Sequence, residues 1–182
     1  MVHQSKTDLE AGLADVRKSP ADGGTLELIV RRPAVDARDV LDVGELDADV
    51  GLVGDTWKER PSSRTADKSA HPDMQLNLMN SRVIALVAGE RERWALAGDQ
   101  LFVDLDLSAV NLPPGTRLAI GDAVIEVTDQ PHRGCKKFAD RFGVDALKFV
   151  NSTEGVAVNA RGINAKVVRG GTIRRGDAVR KV

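Results

Sequence analysis

Residues 115–128 read GTRLAIGDAVIEVT, and this stretch predicts a β-hairpin. Apolar residues alternate with others from Arg117 to Ile120 and again from Ala123 to Thr128, which is the period of half-buried strands. The Gly121-Asp122 pair between them favours a tight turn. The centre of the chain is therefore expected to form an antiparallel pair of strands.

Further short strands are predicted on both sides of this hairpin. They cover residues 26–30, 75–79, 101–105, 165–168, 172–174 and 178–182. Three short helices are also predicted: one capped by Ser81, one at 135–142 that ends at Gly143, and one at 145–150. Many short strands with few helices, and no alternation of strand with helix, predict a mainly β fold of the α+β class, either a barrel or a sandwich.

The first 24 residues differ from the rest of the chain, because they are polar and are broken at Pro20 and Gly23-Gly24. Residues 7–10 match a capping box that begins at Thr7, and the apolar residues Leu9, Leu13 and Val16 share one helical stripe. A short helix is expected there, either docked on the main domain or mobile. We therefore divide the chain into an extension, residues 1–24, and a domain, residues 25–182.

Composition excludes several classes of protein. The 182 residues carry 26 basic and 27 acidic side chains, and aromatic residues make up 3%. A nucleic-acid-binding protein usually has a basic excess and aromatic platforms, so no nucleic-acid partner is expected. One cysteine cannot form an intrachain disulfide, and no apolar run resembles a signal peptide or a membrane span, so a cytoplasmic protein without a membrane partner is predicted.

The most informative segment for chemistry is residues 130–138, QPHRGCKKF, which contains the single cysteine, Cys135. Positive neighbours and the start of a helix favour a thiolate, which can accept sulfur as a persulfide or bind a metal such as molybdenum. Cys135, Phe138 and Phe142 also fall at i, i+3 and i+7, a spacing that predicts a packed structural thiol. Both interpretations remain open from the spacing.

The basic residues near the cysteine predict either an anion pocket for a phosphorylated cofactor or a solvated surface. These residues are Arg133, Lys136, Lys137, Arg141 and Lys166. His132 lies three residues before Cys135, but no second Cys/His pair exists to complete a zinc site. Cys135 and His132 are also the residue types of a nucleophile and base pair, although no third residue is identified that would orient it.

The segment from Asp55 to Asp73 is long, polar and mostly basic. Loops of this length in a compact domain are either functional or disordered. It is expected to be a solvated loop or a loop that covers a ligand.

The order of motifs along the chain resembles the MOSC domain, named after the carboxy-terminal domain of molybdenum cofactor sulfurase. The resemblance covers residues 25–182. It is carried by Val53-Gly54-Asp55, the strand at 75–79, Gly98-Asp99-Gln100-Leu101, the hairpin at 115–128, Gln130-Pro131 followed by Cys135, Arg141-Phe142-Gly143, Arg161-Gly162, 165–168, Gly170-Gly171 and 176–179.

The resemblance implies a barrel-like fold and a cysteine that handles sulfur or molybdenum. Cys135 would carry sulfur taken from a pyridoxal-phosphate-dependent cysteine desulfurase, for delivery to a molybdoenzyme, or would ligate the molybdenum cofactor. In the second case the protein would reduce N-hydroxylated compounds with electrons from a separate donor protein. His132 and the five basic residues named above would then face the cofactor. The alternative is a non-catalytic ligand-binding barrel with a packed Cys135.

Several positions depart from the pattern of the family. The family often has a basic, His-containing stretch where this chain has residues 55–59, DTWKE, and Gly-Glu-Asn-Leu where it has residues 98–101, GDQL. An Arg and a Pro often precede the cysteine where this chain has His132 and Gly134, and residues 162–166 differ as well. These departures concern the binding of the cofactor rather than the fold.

Overall fold

The computed structural model describes residues 3–182 and places a closed β-barrel at their centre. The strands are β1 (Gly24–Arg31), β2 (Asp39–Leu41), β3 (Val43–Asp47), β4 (Gly51–Leu52), β5 (Leu76–Asn80), β6 (Leu101–Asp104), β7 (Arg117–Ile120), β8 (Ala123–Val127), β9 (Ile163–Arg169), β10 (Gly171–Arg174) and β11 (Ala178–Lys181). The predicted hairpin is confirmed as β7 and β8, which pair from Arg117 with Glu126 to Ile120 with Ala123.

Seven strands close the barrel in the order β11-β7-β8-β9-β5-β6-β1, with β1 pairing back to β11. All of these pairs are antiparallel except β5 with β6. A parallel pair needs a crossover, and the helical segment between these two strands provides it. The strand β2 extends the sheet beyond β1, and β10, β3 and β4 form a second, three-stranded sheet. The predicted mainly β, barrel-like α+β fold is confirmed.

Short helices surround the barrel. They are α1 (Lys6–Val16), α2 (Ser81–Ala88), α3 (Lys136–Phe142), α4 (Val144–Val150) and α5 (Thr153–Ala157), with 3-10 turns at Trp57–Glu59, Pro72–Met74 and Arg91–Ala97. No helix within residues 3–182 is long and apolar enough to span a membrane.

The core has two layers, which the strand β1 separates. Leu26 and Ile29 belong to the cluster inside the barrel, whereas Leu28 and Val30 belong to the cluster under the helices. A register shift against β6 between Leu26 and Leu28 accompanies this change of side. Both faces of β1 are therefore buried, which fixes the position of the charged residue that follows it, Arg32.

The helix at the amino terminus docks on the domain. Leu9, Leu13 and Val16 are buried as the stripe predicts, and α1 packs against α2 and α4. Its cap is Ser5 rather than Thr7, because the Ser5 hydroxyl accepts a hydrogen bond from the Asp8 N–H at 3.3 Å.

The cap of α2 also lies earlier in the chain than predicted, in this case by one residue. Ser81 is the first residue inside that helix. The Asn80 side chain accepts hydrogen bonds from the Arg82 and Val83 N–H groups at 2.8 and 3.3 Å. An asparagine caps as well as a serine does, so the choice between adjacent cap residues depends on where the preceding strand ends.

Candidate functional site

Cys135 lines a cleft of about 350 Å³ beside the carboxy-terminal end of β1. It is the residue that precedes α3, its backbone is extended, and the side chain is exposed. Phe138 and Phe142 of the same helix are buried, with ring centroids 4.9 Å apart. The apolar stripe therefore packs through its two phenylalanines, and the interpretation of Cys135 as a packed structural thiol is wrong.

Arginines dominate the rest of the cleft. They are Arg32, Arg38, Arg60, Arg141 and Arg161, and Lys137 lines it as well. They come from four parts of the chain: the end of β1 with the loop that follows, the 55–73 loop, α3, and the segment before β9. The barrel thus gathers positive charge around the single thiol.

Arg32 is held by a buried ion pair with Asp55. Its Nε and Nη2 atoms donate to the two carboxylate oxygens at 2.8 and 2.7 Å, and its backbone N–H also donates to Asp55 at 2.9 Å. Burial raises the pKa of Asp55, but the hydrogen bonds and charge of Arg32 outweigh it and leave this pKa below its usual value. The pair anchors the start of the 55–73 loop to β1.

Arg161 is held in a similar way by Asp99. One terminal nitrogen lies 2.9 and 2.7 Å from the two oxygens of Asp99, and the other donates to the Ala97 carbonyl at 3.2 Å. The guanidinium lies 5.0 Å from the centroid of the Phe138 ring, a cation–π contact. Burial raises the pKa of Asp99, and Arg161 opposes that shift.

His132 lies next to this pair and does not line the cleft. Its side chain is only 15% exposed, and its Nδ1 atom is 3.7 Å from Asp99 with no hydrogen-bond partner. Burial, followed by the charges of Arg161, Arg32 and other arginines, lowers the pKa of His132 well below its ordinary value of 6.5. The imidazole is therefore neutral at pH 7.

Two arginines of the cleft have no acidic partner. No carboxylate among residues 3–182 forms an ion pair with Arg38 or Arg60. Burial, with repulsion from neighbouring arginines, lowers the pKa of each. The Nε atom of Arg38 is buried without a hydrogen-bond partner. Arg60 donates only to the Thr56 hydroxyl, at 3.1 and 3.2 Å. Unbalanced, partly desolvated guanidinium groups favour an anionic ligand.

The remaining predicted residues are divided between the cleft and the surface. Lys137 and Arg141 line the cleft with Cys135, and Arg141 also pairs with Asp36 at 3.2 Å. The other three do not line it. Arg133 is exposed, Lys136 pairs with Asp140 at 3.0 Å, and Lys166 pairs with Asp73 at 3.1 Å.

Sequence reasoning missed Arg32, Arg38, Arg60 and Arg161. Arg161 belongs to a motif that carries the family resemblance, and Arg32 directly follows a strand buried on both faces. A charged residue directly after a buried strand is usually paired or functional, so the position of Arg32 was a signal that sequence reasoning could have used. Within the described residues, no cluster of three or more His, Cys, Asp or Glu side chains could hold a metal ion.

The comparisons with known proteins agree with this fold. The MOSC domain model matches residues 66–180. The structure is similar to the YUAD protein from Bacillus subtilis, with a TM-score of 0.64, 16% identity, and coverage of 86% of this chain and 93% of that one. It is also similar to YiiM from Escherichia coli, with a TM-score of 0.55, 19% identity, and coverage of 87% and 69%. No curated protein matches the chain.

Proposed function

The chain belongs to the MOSC domain family, and from this we propose that it binds the molybdenum cofactor in the arginine-lined cleft, with Cys135 as the protein ligand to the metal. One observation carries the proposal. The only thiol of the chain is exposed at the wall of a cleft in which Arg38 and Arg60 have no carboxylate partner.

The residues present fit this group. Its phosphate needs donors that are not already neutralised, and the buried, unpartnered Nε of Arg38 is such a donor. Arg60 and Lys137 would add charge around the same phosphate, while Arg32 and Arg161 are fixed in place by their own carboxylates. The cleft volume of about 350 Å³ lies within the range of ligand-sized pockets. When bound, the cofactor would supply a redox-active metal next to Cys135.

A reductase is the enzyme activity that follows from this assignment. Reduction of an N-hydroxyl group to an N–H group, with release of water, consumes two electrons and two protons. A separate electron-transfer protein would supply the electrons, and solvent the protons. We expect this chemistry to take place in the cytoplasm, where a free thiol stays reduced.

Sulfur transfer is the second candidate, and the exposure of Cys135 favours it. The Cys135 thiolate would attack the outer sulfur of a persulfide on a cysteine desulfurase. That sulfur would form a new S–S bond with Cys135, and the thiolate of the desulfurase would leave. Pyridoxal phosphate would act in the desulfurase and not in this chain. A molybdoenzyme would then receive the sulfur.

Metal content tests the first proposal. Wild type, Cys135→Ala and Arg38→Met are purified from a host that makes the cofactor, with Arg133→Ala as a control on an exposed arginine outside the cleft. We expect near-stoichiometric molybdenum by elemental mass spectrometry in wild type and control, and a large loss in the other two. Folded wild type without molybdenum would contradict cofactor binding. A persulfide on Cys135 after incubation with a desulfurase and cysteine would then support sulfur transfer.

A further inference from the structure

Among residues 3–182, Asp36 is the only carboxylate that lines the cleft containing Cys135. The other charged side chains that line this cleft are all positive: Arg32, Arg38, Arg60, Lys137, Arg141 and Arg161. A cleft of this charge favours an anion, and the chain itself already places one anionic group there.

Asp36 interacts with two of the cations of the cleft. Its Oδ1 atom accepts a hydrogen bond from Nη2 of Arg141 at 3.2 Å. Burial, followed by repulsion from neighbouring arginines, lowers the pKa of Arg38, and the negative charge of Asp36 opposes this shift. Asp36 therefore takes up positive charge that an anionic ligand would also use.

Arg141 has a second partner that does not depend on Asp36. Its Nη1 atom donates to the Leu96 carbonyl at 2.7 Å, and its side chain is only 23% exposed. The guanidinium is therefore still held in the cleft when the carboxylate moves away, and its Nη2 atom then has a donor available for another anion.

The contact between Asp36 and Arg141 is easily displaced. The Asp36 side chain is 72% exposed, and an ion pair with so much access to water contributes little to stability. The backbone of Asp36 also has a φ of 59°, in the left-handed region that residues other than glycine adopt infrequently. Loss of the contact therefore costs little and allows this strained backbone to relax.

The loop that carries Asp36 is fixed at both ends but not at its tip. Ion pairs made by Arg32 and Asp39 hold the two ends. Within the described part of the chain, the hydrogen bond to Arg141 is the only one that joins residues 33–36 to another element. The tip can therefore move without disturbing the barrel.

We propose that Asp36 is an autoinhibitory counter-ion of the cleft. It binds Arg141 in the free protein, and the anionic group of an incoming ligand displaces it, so that residues 33–36 move away from the cleft. This inference deepens the proposed function, on which it rests for the site alone, by naming a contact that regulates binding there. It requires an anionic ligand but neither a bound metal nor a reaction.

The reaction of Cys135 with two thiol reagents tests the proposal on the full chain, purified from a host that does not make the cofactor. Ellman's reagent carries two carboxylates, whereas methyl methanethiosulfonate is neutral. Both reagents react with the thiolate, so the ratio of their rate constants cancels changes in the thiolate fraction and measures how strongly the cleft attracts an anion. We expect Asp36→Asn to raise this ratio by roughly threefold.

Two further variants separate the role of Asp36 from a general effect of charge. Asp42→Asn is the matched control, because Asp42 is 78% exposed, pairs with Arg175 at 3.1 Å and does not line the cleft. It should change the ratio by less than about 1.3-fold. Asp36→Glu keeps the charge and should stay closer to wild type than Asp36→Asn does. An unchanged or lower ratio in Asp36→Asn, or an equal rise in Asp42→Asn, would overturn the proposal.

Inorganic phosphate provides a direct measure of anion binding. At constant ionic strength, phosphate should compete with Ellman's reagent for the cations of the cleft, and half-inhibition in Asp36→Asn should need roughly threefold less phosphate than in wild type. The same half-inhibiting concentration in both proteins, or no competition in either, would overturn the proposal. Molybdenum content is measured separately on protein from a host that makes the cofactor, so failure of this proposal and failure of cofactor binding are distinguishable.

Discussion

One terminal nitrogen of Arg161 lies 2.7 and 2.9 Å from the two carboxylate oxygens of Asp99, and both side chains are buried. The same guanidinium faces the cleft and lies over Phe138, three residues after Cys135. Asp99 therefore fixes an arginine of the cleft without lining the cleft itself, and the stability of the barrel is coupled to the geometry of the site.

Asp99→Asn should destabilise the protein strongly, because it leaves a buried guanidinium without its counter-ion. We expect the free energy of unfolding in urea to fall by about 3 kcal/mol. Asp36→Asn is the matched control, since it removes a carboxylate that pairs with Arg141 but is largely exposed, and its effect should stay below about 1 kcal/mol. Similar losses of unfolding free energy in the two variants would show that burial does not make the Asp99–Arg161 pair more important for stability than the exposed Asp36–Arg141 pair.

The buried His132 should make stability depend on pH. Its pKa in the folded protein lies well below 6.5, the ordinary value that the unfolded chain recovers. As pH falls below about 6.5, the unfolded state binds a proton that the folded state does not, so stability decreases by up to about 1.4 kcal/mol per pH unit. This loss continues until pH falls through the folded pKa.

Unfolding free energies measured from pH 7.5 to 5 check this slope. His132→Gln should reduce this slope by about one proton, because the substitution removes the group that binds a proton in the unfolded state but not in the folded state. The same slope in wild type and His132→Gln would contradict the prediction that the buried His132 causes this pH dependence.

Arg38→Met should stabilise the protein and weaken anion binding together. Arg38 is partly desolvated, repelled by neighbouring arginines and left with a buried, unpartnered Nε. Methionine keeps most of the apolar stem without the charge, so a gain of about 1 kcal/mol is expected. Arg133→Met, an exposed arginine outside the cleft, should change stability by less than about 0.5 kcal/mol. A loss of stability in Arg38→Met would mean that its charge is balanced in the folded protein.

The fold could be predicted from the sequence because its signals are local. The β7–β8 hairpin is specified by alternation and by Gly121-Asp122, and the stripe of Leu9, Leu13 and Val16 specifies α1. The small strands β2, β3 and β4 were not predicted. Val40 and Val43 are exposed, and β3 and β4 each bury a single leucine, Leu46 and Leu52, so these short strands have no extended apolar pattern that the sequence could reveal.

The candidate site could be predicted only in part, because it is assembled from distant segments. One seven-residue segment contains Cys135, Lys137 and Arg141, which were therefore identified together. Arg32, Arg60 and Arg161 join them only when the barrel closes, and no spacing rule links positions so far apart. Lys166 was chosen for its charge alone, and the structure pairs that charge with Asp73 and Glu126.

The Cys135 thiol should react freely in the folded protein. It is exposed, so a disulfide reagent such as Ellman's should modify one thiol per chain at a rate within about tenfold of the denatured chain. Cys135→Ser should change the free energy of unfolding by less than about 0.5 kcal/mol, as for other exposed positions. A thiol that reacts only after denaturant is added would restore the packed, structural interpretation.

The cap of α1 provides a prediction for the amino-terminal segment. The Ser5 hydroxyl accepts the Asp8 N–H, whereas Thr7 lies inside the helix and is exposed. Ser5→Ala should therefore lower the free energy of unfolding by about 1 kcal/mol, and Thr7→Ala should leave it nearly unchanged or slightly higher, because alanine is the better helix former. Chemical denaturation of the two variants side by side measures the difference. The reverse order of effects would place the cap at Thr7, as the capping-box pattern predicts, and would shorten α1 at its amino-terminal end.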